Sequence, residues 1–122
     1  MAEHQSDDIF KQLKSILNKY EKSLTLKTSS DDNYCLDAGY YEKYKQVLFF
    51  GAVTVKKNYV SYHLMPVYVF PELLKDISPE LKKRMQGKSC FNFKKVDHNL
   101  FKELELLTKK GFDEFRKAKL LP

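Results

Sequence analysis

The first apolar row runs through Ile9, Leu13, Ile16, Leu17 and Tyr20, at the spacing that gathers side chains on one face of a helix. It predicts a helix over residues 6–22, with Ser6 or Asp7 as its cap and acids near its positive end. A strand is expected over 24–28. The cluster "SSDDN" then turns the chain into a second strand over 34–37, and "GYYEKYK" reads as a connection. The clearest strand spans 46–56. Lys57 and Asn58 form a two-residue hairpin turn, since Asn tolerates positive φ, and residues 59–69 return antiparallel.

Side chains alternate between the faces of a strand. In this register Gly51, Val53 and Val55 share the core face with Val60, Tyr62 and Leu64. Ala52, Thr54 and Lys56 share the opposite, mixed face with Tyr59, Ser61 and His63, and Met65 continues that face. Pro66 and Pro71 cannot donate to a ladder and are expected to end it. Pro71 and Pro79 suit the first turns of two short helices, the second capped by Ser78. A fifth strand over 89–95 puts Phe91 and Phe93 on one face and Cys90, Asn92 and Lys94 on the other. Asp97 caps a long last helix whose apolar row is Leu100, Leu104, Leu107, Gly111, Phe115 and Ala118. Gly111 lies within that row and marks a close backbone approach. The expected fold is α+β: an antiparallel sheet of about five strands, with the N-terminal and C-terminal helices packed on one face.

Length makes residues 1–122 a single domain that can bury roughly two-thirds of its unfolded surface without a metal or disulfide. The 43% hydrophobic and 31% charged content excludes a disordered chain. The opening "MAEHQSDDIF" has no apolar run, so no signal peptide is expected. No stretch approaches the roughly 20 residues of a membrane span. The expected setting is the cytoplasm, with Cys35 and Cys90 reduced. Net charge is +6 and unevenly placed. Residues 56–122 carry 15 basic and 8 acidic side chains, a balance of +7; residues 1–55 carry 7 and 8, a balance of −1. The second half therefore attracts anions or acidic partners.

The stretches "FFGAVTVKKNYVSYHLMPVY" and "PELLKDISPELKKRMQGKSCFNFKKVD" together resemble the YdhG-like domain of unknown function, found in small bacterial proteins. The resemblance covers residues 24–115, in the order hairpin, proline-opened helices, "GKSCF" strand and terminal helix. It implies a cytoplasmic α+β protein and no agreed activity. One class of members is described as frataxin-like iron chaperones.

"QGKS" lacks the first glycine of a P-loop and enters a strand rather than a helix, so Gly87 reads as a turn residue. The basic run Lys82, Lys83, Arg84, Lys88, Lys94 and Lys95 is a candidate anion site. Phe91 and Phe93 interleave with it but belong to the core face, so nucleic acid is not an expected partner. The ligand-binding candidates are His63, Met65, Lys82, Lys83, Arg84, Lys88 and Asn92. They define a non-enzymatic module for a small anionic or partly apolar ligand or an acidic partner. The mixed sheet face is also a candidate contact for a second copy. An iron site would draw on Asp7, Asp8, Asp31, Asp32 and Asp37, which capping and turn formation already explain. A third reading is a thiol enzyme using Cys90 and His63, with Asn92 on the same face. No catalytic, metal or cofactor site is expected.

Overall fold

The computed structural model describes residues 3–122. The first apolar row folds as α1 (Glu3–Asn18), burying Ile9, Phe10, Leu13, Ile16 and Leu17. Neither proline nor glycine precedes Ser6, so the helix extends back to Glu3, and Ser6 and Asp7 lie inside it instead of capping it. It also ends sooner than residue 22, and Glu21–Ser23 forms a separate 3-10 turn.

The sheet has six antiparallel strands: β1 (Thr25–Ser29), β2 (Asn33–Tyr41), β3 (Gln46–Val55), β4 (Val60–Leu64), β5 (Met85–Gln86) and β6 (Cys90–Phe93), in the order β1-β2-β3-β4-β6-β5. The central hairpin has the expected register, with Val55 opposite Val60, Val53 opposite Tyr62 and Gly51 opposite Leu64. Its two-residue turn is closed by the Lys56 N–H donating to the Tyr59 carbonyl at 2.8 Å. A bulge in β3 lets Leu36 pair with Gly51 while Asp37 pairs with Phe49, which adds Leu48 and Phe50 to the buried face.

The strand expected over 59–69 stops at Leu64. Met65–Val69 is instead a short helix, α2, with Pro66 in its first turn and the Phe70 N–H bonded to the Pro66 carbonyl. Proline lacks only the donor that a first turn leaves unused, so it opens this helix as readily as it ends a ladder. Pro71–Leu74 follows as a 3-10 turn. In α3 (Pro79–Lys82) the Ser78 hydroxyl caps the Leu81 N–H at 3.1 Å, as expected. Strand β5 is the additional one, joined to β6 through Gly87, whose φ of +77° suits a turn glycine. Asp97 caps α4 (His98–Lys117) through the Leu100 N–H at 3.1 Å. Gly111 does mark a close approach: a Cβ there would sit 2.7 Å from the Pro66 Cβ.

The N-terminal and C-terminal helices pack on one face of the sheet. The Tyr62 hydroxyl reaches Thr108 Oγ1 at 2.6 Å, and Phe50 packs edge-on against Phe112 and Phe115. The other face carries the half-buried Cys35, Ala52, Thr54, His63, Cys90 and Asn92. No helix among the described residues is long and apolar enough to cross a membrane.

Candidate functional site

Helix α3 is anchored before it delivers its basic residues. Leu81 is fully buried beneath it. The Ser78 N–H and hydroxyl both donate to the Glu103 carboxylate of α4 at 2.6 Å, fixing where α3 starts. Lys83 and Arg84 leave its last turn with backbone N–H groups bonded to Pro79 and Leu81 carbonyls. The Asn92 N–H then donates to the Arg84 carbonyl at 2.8 Å, which fixes Arg84 beside β6.

Two pockets result. The first, about 390 Å³, is lined by Asn58, Tyr59, Lys83, Arg84, Met85, Gln86, Asn92 and Lys94. The second, about 510 Å³, is lined by Glu80, Lys83, Arg84, Phe93, Lys94, Lys95, Asp97 and Leu100. Lys83, Arg84 and Lys94 belong to both and form a cationic ridge between them. Among the described residues none of the three is in an ion pair; the pairs that form are Lys19–Glu105 and Arg116–Asp113. Their charge is therefore not cancelled locally, whereas Glu80 and Asp97 counter it in the second pocket. Asn92 Nδ2 donates to Gln86 Oε1 at 2.9 Å, and its buried Oδ1 has no donor among the described residues.

Of the residues singled out from the sequence, Lys83, Arg84, Lys94 and Asn92 come together here, and Lys95 lines the second pocket. Lys82 and Lys88 are exposed and line neither pocket. Met65 is the first residue of α2 and packs partly buried against the core, because the strand ends before it, so it does not join the mixed face. Asn58, Tyr59, Met85 and Gln86 were missed as site residues. The hairpin turn at Lys57 and Asn58 was the available signal for two of them, because it sets Tyr59 at the end of the sheet near Lys94.

His63 lies four residues along the chain from Tyr59, on the mixed face. Its Nε2 and Ser89 Oγ share a 2.6 Å hydrogen bond, and its ring stands edge-on to Phe49 with centroids 4.5 Å apart. It sits directly across from Cys90 in the β4–β6 register. Ser89 is its hydrogen-bond partner, and Asn92 is engaged with Gln86, so the three residues do not form a relay.

Burial pushes the His63 imidazole below its ordinary pKa. The unfolded chain takes up a proton as pH falls through about 6.5, while folded His63 resists it, so stability is lost below about pH 6.5. Urea unfolding between pH 7 and 5 is expected to show a steeper loss in the native protein than in His63→Gln. Parallel curves would contradict that assignment.

The carboxylates proposed for iron are dispersed. Asp7 and Asp31 do meet in one pocket, but Lys11 and Lys14 line it as well. Among the described residues no group of three or more His, Cys, Asp or Glu side chains is placed to hold a metal ion. No family model matches the chain, and neither the curated proteins nor the solved structures hold a significant match to it.

Proposed function

We propose that the protein is a non-enzymatic YdhG-like binding module that holds a small anionic ligand in the cytoplasm. The observation that carries this reading is the ridge of Lys83, Arg84 and Lys94, three cations without ion-pair partners among the described residues, lining pockets of ligand size. A guanidinium offers a planar fork of donors to phosphate or carboxylate, and the two ammonium groups add charge from either side.

Exposed charge is screened over about 8 Å at physiological salt, so generic attraction fades as salt rises, while a shaped site keeps part of its affinity. Calorimetric titration against a panel of small phosphorylated and carboxylated compounds, at low and moderate salt, separates the two. One compound should bind selectively and retain binding at moderate salt. Arg84→Ala should weaken that binding at least tenfold, and Lys88→Ala should leave it nearly unchanged, because Lys88 lies outside both pockets. Equal weak binding of every anion, abolished by salt, would reduce the ridge to a solvated surface.

A further inference from the structure

We infer that the anion on this ridge is the phosphate of a dinucleotide unit, with one nucleoside in each flanking pocket. This rests on the anion-binding role proposed above. The pockets adjoin and share the same three cations, so a ligand centred on the ridge carries its negative charge in its middle and a neutral lobe on each side. A phosphodiester joining two nucleosides has that form.

The chemistry of the walls points the same way. A bare phosphate uses only donors, yet the first pocket is lined by three carboxamides, those of Asn58, Gln86 and Asn92, each with both donor and acceptor groups. The Asn92 carbonyl oxygen has no donor among the described residues, so a rotation of this side chain toward a ligand N–H or O–H satisfies that oxygen in exchange for the Nδ2 bond to Gln86. Paired donors and acceptors match the edge of an unpaired base, and Tyr59 on the same wall supplies a ring for its flat face. In the second pocket Glu80 and Asp97 repel a bare anion but accept from sugar hydroxyls or base amino groups. Phe91 and Phe93 are buried and cannot stack, as expected from their alternation; Tyr59, half-buried at the strand end, takes that role.

The unit can be a free dinucleotide or one step of a single strand. Calorimetry with inorganic phosphate, a nucleoside monophosphate, a dinucleoside monophosphate and a ten-residue oligouridylate tests both the inference and its source. The dinucleoside monophosphate should bind at least tenfold tighter than phosphate. Tyr59→Ala should lower the ratio of dinucleoside to phosphate affinity about tenfold, and Tyr59→Phe should restore it. Thermal unfolding of the variants confirms that each is folded. Tighter binding of the oligouridylate than of the dinucleoside supports a strand, and equal affinity per site supports the free dinucleotide. If phosphate binds and the dinucleoside binds no tighter, this inference fails and the anion site stands. If neither binds, both fall.

Discussion

Tyr62→Ala is expected to destabilise the fold by about 3–5 kcal/mol, and Ser61→Ala by under about 1 kcal/mol. The two residues are neighbours on β4 that face opposite sides of the sheet. Tyr62 is fully buried between the sheet and α4, and its hydroxyl meets Thr108, which is also fully buried. Truncation removes the ring, leaves a cavity that the close-packed surroundings fill only in part, and strands the Thr108 hydroxyl. Ser61 gives up only a hydroxyl on the mixed face. Chemical denaturation of both variants, with unchanged dependence on denaturant, measures the difference. Equal losses would mean that the hairpin register is off by one residue.

Gly111→Leu should cost about 2–3 kcal/mol, although leucine is the better helix former by just under about 1 kcal/mol. Position 111 lies in the interior of α4, where a solvent-facing glycine would be improved by almost any replacement. Here the new Cβ falls 2.7 Å from the Pro66 Cβ and 2.9 Å from its Cγ. A proline ring has no rotamer with which to move aside, so α2 and α4 must separate. Denaturant midpoints of Gly111→Ala and Gly111→Leu should fall in that order. A rise for either would show that the two helices do not meet at this point.

The parts of the fold legible in the sequence are those encoded over short distances. The β3–β4 register follows from alternation on both sides of a two-residue turn, and the Asp97 cap and the apolar row of α4 follow from helical spacing. Gly111 was legible because a glycine inside an apolar row needs a reason. The misread segments depend on distant partners. "MPVYV" has the β-branched content of a strand, but its helix is set by Pro66 packing against α4. Strand β2 runs on to Tyr41, past the expected 34–37, where the Gly39 N–H bonds to the Leu120 carbonyl at the far end of the chain. Strand β5 is two residues long and shows no periodicity at all.

The candidate site follows the same division. Charge counting found the basic segment but gave it no direction. Successive residues leaving a helix point about 100° apart, so Lys82 and Lys83 diverge, and only Lys83 turns toward the pockets. Lys88 is carried away by the turn at Gly87. Asn92 was found by strand alternation. Its neighbours Asn58 and Tyr59 enter only because the β3–β4 turn ends beside the end of β6, a relation that strand order decides.

The most direct test of the ridge is to record backbone amide shifts while inorganic phosphate is titrated into the protein at moderate salt. Saturable shifts are expected, confined to Asn58 and Tyr59, to residues 83–86 and to residues 92–95. Shifts spread evenly over the exposed lysines of α4, such as Lys102, Lys109 and Lys110, or centred on His63 and Cys90, would contradict it.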